Sequence, residues 1–137
     1  MAGYSGTPLP KKLGIKEGSA VAWVDAPDGF GALLDPLPPE VTVKQQARPP
    51  LDVVVAFFTE AGALAKQLPA LTKAIFPAGG LWIAWPKRSS GVPTDITEDV
   101  IRDIALPTGL VDNKVCAIDE TWSGLRLVVR KERRATR

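Results

Sequence analysis

Two stretches of this chain, Leu51 to Phe58 (LDVVVAFF) and Leu81 to Trp85 (LWIAW), lack the polar alternation of a half-exposed strand. Such runs are expected of parallel strands covered on both faces. Between them Leu64, Leu68, Leu71 and Ile75 recur at helical spacing, and Pro77 with the Gly79-Gly80 pair stops that pattern. The pattern predicts a strand, helix, strand unit from Leu51 to Lys87, on which everything else must pack. Pro69 either kinks the helical stretch or opens a second short helix at its first turn.

The flanking segments are predicted in the same way. Met1 to Pro10 is rich in Gly, Ser and Pro and reads as an extended surface arm. Ala20 to Val24 forms a first strand, with Val21 and Trp23 on one face and Ala22 and Val24 on the other. A turn over Asp25 to Gly29 leads to a short helix at Phe30 to Leu34, which Pro36, Pro38 and Pro39 end. Val41 to Lys44 is a short second strand, and Arg48-Pro49-Pro50 is a linker. Its direction stays open, because a parallel crossover takes about a dozen residues and the link to Leu51 is short. After the loop Pro86 to Asp95, a helix is expected from about Thr97 to Leu106, capped by Thr97 or Asp95, with Glu98 and Asp99 suiting its dipole. Val111 to Asp119 and Leu125 to Lys131 make a hairpin around Glu120 to Gly124, with Ser123-Gly124 as the turn signal. The predicted class is α/β: three layers, a mostly parallel sheet and a C-terminal antiparallel hairpin.

Composition narrows the function more than it suggests one. At 137 residues the chain has the size of one compact domain. No apolar run approaches the roughly 20 residues that cross a bilayer, so no membrane association is expected. MAGYSGTPLPKKLG has no apolar core after its lysines, which argues against a secretory signal and for a cytoplasmic location. The formal charge of +2 is uneven: Met1 to Leu125 carries 11 Lys/Arg against 14 Asp/Glu, whereas Arg126 to Arg137 carries 6 basic residues and one acidic. The basic tail, residues 132–137, is expected to be frayed and solvated. The body shows no basic face with interleaved aromatics, so nucleic acid is not an expected partner.

Histidine is absent, which removes His-based acid/base chemistry, Ser-His-Asp and Cys-His arrangements and imidazole metal ligation. Cys116 is the single cysteine, so no intramolecular disulfide or thiolate zinc cluster can form. It sits in the apolar run Val115 to Ile118, where a buried thiol is the simpler reading. No metal site is expected.

Two resemblances follow from local wording. LGIKEGSAVAWV resembles the lead into the first strand of the class I S-adenosylmethionine-dependent methyltransferases, a Rossmann-like fold. LDVVVAFF is similar to their fourth strand, and LPALTKAIFPAGGLWIAW to the crossover ending in the fifth. Such enzymes place a glycine-rich turn after the first strand, because the backbone must approach the cofactor closely. Here that turn holds Asp25 and Pro27, with Gly29 alone remaining. The acidic residue expected at the end of the second strand falls near Lys44 and Gln45. The resemblance therefore implies a reduced Rossmann-like domain with no cofactor. Over nearly its whole length the chain also resembles an uncharacterised bacterial family, domain of unknown function 3052. YSGTPLPKKLGIK, WPKRSSGVPTDITEDVIR and GLVDNKVCAIDETWSGLRLV carry that resemblance, which brings no catalytic residues with it.

In open α/β sheets ligands sit beyond the carboxyl ends of the strands. Those ends supply Asp25, Thr59, Glu60 and the run Trp85, Pro86, Lys87, Arg88, Ser89, Ser90 and Gly91. Two cations, two hydroxyls and a glycine suit an anion, with the helix N-terminus near Thr97 close by. A charged polar loop is more often merely solvated. Asp119, Glu120, Trp122 and Ser123 form a second cluster whose carboxylates suit acid/base work or a divalent ion, although adjacent hairpin carboxylates usually face solvent. The expectation is a noncatalytic, degenerate Rossmann-like module that binds a partner protein or a small anionic ligand. The alternative is a small enzyme acting on an anionic substrate through Lys87, Asp25 and Glu60.

Overall fold

A computed structural model describes residues 7–134. Six strands, β1 (Ala20–Val24), β2 (Thr42–Val43), β3 (Val53–Phe57), β4 (Gly80–Pro86), β5 (Leu110–Ala117) and β6 (Trp122–Val129), form one sheet in the order β2-β1-β3-β4-β6-β5. β2, β1, β3 and β4 run parallel, and β6 and β5 are antiparallel additions at the β4 edge. The chain is thus α/β, Rossmann-like, with a mostly parallel sheet and a C-terminal hairpin, as its sequence predicts.

Alternation along the strands divides the core into two layers. On one face Val54, Ala56, Leu81, Ile83, Leu125 and Leu127 meet Leu64, Leu68, Leu71 and Ile75 of α3 (Ala61–Ile75) and Ile101 and Ala105 of α4 (Glu98–Ala105). On the other, Val21, Val53, Val55, Trp82 and Ala84 meet Leu13 and Ile15, which follow α1 (Leu9–Lys12), and Phe30 and Leu34 around α2 (Phe30–Leu33). Each of the larger of these side chains, Val, Leu, Ile or Phe, contributes about 1.5–3 kcal/mol on removal from water. Trp82 is wholly buried, and its indole N–H donates to the Leu13 carbonyl at 3.0 Å, pinning the N-terminal segment to the middle of the sheet. Among the described residues no helix is long and apolar enough to cross a membrane.

The open question of β2 resolves as parallel. Thr42 lies opposite Ala20 and Val43 opposite Val21, while Val53 of β3 also lies opposite Val21. Because β2 ends at the level where β3 begins, the link over 44–52 has little distance to recover, and no helix is needed.

The structure resolves the alternatives and corrects several expectations. Leu9–Lys12 is a helical turn with Pro10 buried, so the arm is not extended as far as Pro10, and residues 1–6 lie outside the described part. α3 is a single helix with Pro69 inside it. Thr97 caps α4 by accepting from the Val100 N–H at 3.2 Å, whereas Asp95 accepts from the Ala61 N–H at 2.7 Å and so closes the start of α3. The hairpin turn lies at 118–121, not at Ser123-Gly124, which sit within β6. Asp119 makes that turn, its Oδ1 accepting from the N–H groups of Thr121 and Trp122, both at 2.8 Å. Gly124 serves packing instead: a Cβ there would lie 3.1 Å from the Trp82 ring and 3.2 Å from Ile118. The tail is docked as far as Arg134, whose Nε donates to the Val129 carbonyl at 2.9 Å; residues 135–137 lie outside the described part.

Candidate functional site

Because β1, β3 and β4 are parallel, the residues leaving Val24, Phe57 and Pro86 emerge at one edge. Beneath that edge four aromatic rings meet edge to face. Trp23 and Phe30 have centroids 5.4 Å apart, Phe30 and Phe57 5.0 Å, and Phe57 and Trp122 5.1 Å. Such contacts fix the turn after β1 against β3 and β6. Asp25 itself holds φ 56°, in the left-handed region that glycine favours and aspartate tolerates better than most residues.

The edge carries separate hollows. One, of about 300 Å³, is lined by Asp25, Phe57, Thr59, Glu60, Gln67 and Trp122 among others. A broader one of about 780 Å³ adjoins it, sharing Asp25 and Gln67 and reaching Gln45 and Gln46 beyond β2. Another, of about 500 Å³, is lined by Trp85, Arg88, Gly91, Thr94, Thr97 and Glu98 with their neighbours. The structure thus brings Asp25, Thr59 and Glu60 together, and Trp85, Arg88 and Gly91 together, in different hollows. Lys87, Ser89 and Ser90 line neither.

The loop between β4 and α4 is held by its own hydroxyls. The Ser90 hydroxyl donates to the Lys87 carbonyl at 2.6 Å and accepts from the Val92 N–H at 3.1 Å, across a 3₁₀ turn over Arg88–Ser90. Thr94 donates to the Thr59 carbonyl at 2.6 Å, and Lys87 N–H donates to the Thr121 carbonyl at 2.7 Å. These bonds clamp the loop onto the ends of β3 and β6. Ser90 is therefore a structural group, and the N-termini of both α3 and α4 are capped by side chains of this segment. Glu98 faces the Arg88 hollow but is ion-paired with Arg102, which also meets Asp99 at 3.1 Å and Asp112 at 3.0 Å. The hydrogen bond that Arg102 donates to Asp112, then the one it donates to Glu98, raises the basicity of Arg102 above its ordinary value.

In the second candidate cluster, Asp119 is committed to the hairpin turn and Ser123 lies within β6; Trp122 belongs to the Asp25 hollow. Among the described residues no group of three His, Cys, Asp or Glu side chains is placed to hold a metal ion. Sequence reasoning missed Phe57, Gln67 and Glu98 as lining residues. Gln67 alone had a readable signal, four residues after Ala63 on the α3 face that both present to the same hollow.

Residues 11–131 match the family described as Protein of unknown function (DUF3052). The chain belongs to the DUF3052 family. No curated protein matches the sequence. Among solved structures, the DUF3052 chain is similar to a SAM-dependent methyltransferase from Aquifex aeolicus, with a TM-score of 0.62 at 17% identity over 88% of each chain. The DhpI–SAH complex gives 0.61 at 10% identity, over 90% of this chain and 83% of that one. Aeropyrum pernix fibrillarin with natively bound S-adenosyl-L-methionine gives 0.54 at 15% identity, over 92% and 70%. At these identities the likeness is one of fold: the class I methyltransferase fold, Rossmann-like, as the sequence resemblance implied.

The fold raises the question of whether the cofactor of those neighbours suits these residues. After β1 the chain offers Asp25, an exposed carboxylate, and the half-buried ring of Pro27, where close approach of bare backbone is needed. Past β2, the Lys44 amino group donates to the Pro50 carbonyl at 3.4 Å, and Gln45 and Gln46 follow, so no carboxylate stands ready for ribose hydroxyls. The residues do not fit the cofactor in that mode.

Proposed function

We propose that this DUF3052 chain is a noncatalytic binding module built on the methyltransferase fold, taking a small anionic ligand in the hollow beside Arg88. The observation that carries this reading is the distribution of charge between the carboxyl-edge hollows. The one holding Asp25 and Glu60 is lined, among the described residues, by two carboxylates and by no cation, which repels an anion. The broader hollow sets Lys66 against Asp25. In the hollow beside Trp85, the carboxylate of Glu98 is offset by Arg102, leaving the exposed guanidinium of Arg88 beside Gly91 and the aromatic wall of Trp85. Guanidinium is the side chain best suited to hold a carboxylate or phosphate through two parallel hydrogen bonds.

The enzymatic alternative needs Lys87 to act with Asp25 and Glu60, and Lys87 does not line the hollow those carboxylates share. A docking surface for a partner protein gains little from the tryptophans, since Trp82 is buried and Trp85 nearly so. A cytoplasmic setting belongs to the same proposal. A thermal-shift screen with nucleotides and sugar phosphates, followed by amide shifts in NMR, tests the reading. Shifts clustered on residues 85–98 and weakened by Arg88→Ala, by roughly 1.5–3 kcal/mol per charged hydrogen bond lost, support it. Shifts confined to Asp25, Thr59 and Trp122 would sink it.

A further inference from the structure

At the opposite, amino-terminal edge of the sheet lies a hollow of about 410 Å³ lined by Lys12, Lys16, Lys114 and Arg126, with Asp52 as its one acidic residue. Its basic residues come from distant parts of the chain. α1 and the turn after it contribute Lys12 and Lys16, while β5 and β6 contribute Lys114 and Arg126, which are direct cross-strand partners. Asp52 is occupied, its Oδ2 accepting from the Ala20 N–H at 2.8 Å.

Arg126 is the informative residue. It lies on the same face of the sheet as its cross-strand neighbour Trp82, and its guanidinium rests over Gly80: a Cβ at Gly80 would come within 2.6 Å of Arg126 Nε and 2.8 Å of Nη2. A side chain at Gly80 would have to displace the guanidinium from that position. Among the described residues no carboxylate lies within ion-pair distance of Arg126, although it is half-buried. Burial first, and then repulsion from Arg134, push its basicity below the ordinary guanidinium value. A half-buried guanidinium without a counter-charge is costly to maintain unless something supplies one.

We propose that this hollow is an anion site for a small phosphate-bearing molecule, with Arg126 as its directional donor and Lys16 and Lys114 as supporting charges. The size lies within the range of small-ligand pockets. The charge distribution argues for a small ligand over a nucleic acid strand, since the residues before Arg126 carry 11 basic against 14 acidic groups and offer no continuous basic track. The site is separate from the carboxyl-edge hollow, and neither depends on the other.

Titration of the isotope-labelled chain with inorganic pyrophosphate, monitored by amide shifts, tests the inference. Saturable shifts at Lys12 to Lys16, Asn113, Lys114 and Arg126 are expected, with affinity falling about tenfold or more in Arg126→Gln. Lys16→Gln/Lys114→Gln changes exposed residues only and must also weaken binding, so the result does not depend on the fold tolerating a change at Arg126. Arg88→Ala must leave this binding unchanged. Non-saturable shifts, binding indifferent to both variants, or shifts confined to residues 85–98 would overturn the inference. So would a single-stranded oligonucleotide that binds more than tenfold more tightly than pyrophosphate and shifts residues from Arg126 along to Arg134.

Discussion

Replacing Asp95 by alanine removes the only side chain, among the described residues, that accepts from the first N–H of α3. The bond from Ala61 N–H to Asp95 Oδ1 is 2.7 Å long and joins residues far apart in sequence, so it serves both as a helix cap and as a clamp on the loop between β4 and α4. Loss of a cap costs typically about 1 kcal/mol, and loss of a negative charge at a helix N-terminus a further 0.3–1 kcal/mol or so. Asp95→Ala is therefore expected to destabilise by about 1–2 kcal/mol. Asp95→Asn keeps an acceptor and loses only the charge, so about 0.3–1 kcal/mol is expected. Urea unfolding with an unchanged m-value measures both, and hydrogen exchange at residues 87–94 should quicken in the alanine variant, because Thr94 alone then holds the loop to β3. Equal losses in the two variants would refute the division into cap and charge. No loss in either would show that the clamp contributes nothing.

Trp82→Phe empties part of the core and strands the buried Leu13 carbonyl; a loss of about 2–4 kcal/mol is expected from the unpaired acceptor and the cavity together, and chemical denaturation showing under 1 kcal/mol would contradict it. The Cys116 thiol is pushed up by burial, against the opposing pull of Lys12 and Lys114. Its alkylation by iodoacetamide should be slower at pH 8 than that of a free cysteine, and the folded state should lose stability as the pH climbs through the thiol range, since the unfolded chain gives up that proton first. Labelling as fast as free cysteine would exclude this. Truncation after Glu132 removes the Arg134 bond to Val129 and the packing of Arg133 against Gly109, so a loss of about 0.5–1.5 kcal/mol is expected in place of the neutral outcome a frayed tail implies; an unchanged urea midpoint would show that the tail is not docked.

The strand, helix, strand unit was legible because β3 and β4 are buried on both faces, and nothing but continuous apolar sequence can fill such positions. Likewise Val21 and Ala22 separated into the two core layers that strand alternation assigns them. The Ser123-Gly124 signal misleads because glycine has two uses: Gly124 packs closely against the Trp82 ring across the sheet, and that contact leaves no trace in nearby sequence. In the sequence Asp95 stands where it could cap the following helix, whereas in the fold it caps the preceding one, a choice made by tertiary contact. At the candidate site, strand ends placed Asp25, Thr59 and Arg88 at one edge of the sheet, yet could not reveal that separate hollows divide them. The basic hollow escaped altogether, because Lys16, Lys114 and Arg126 converge only after the sheet is assembled.

Calorimetric titration of the purified chain with S-adenosylmethionine tests most directly whether the methyltransferase fold here has become a binding module without methyl transfer. With Asp25 and Pro27 in the turn after β1, and no carboxylate among Lys44, Gln45 and Gln46, no saturable heat is expected. A dissociation constant in the micromolar range, about −8 kcal/mol, would contradict that account and return the chain to the cofactor-binding members of its fold.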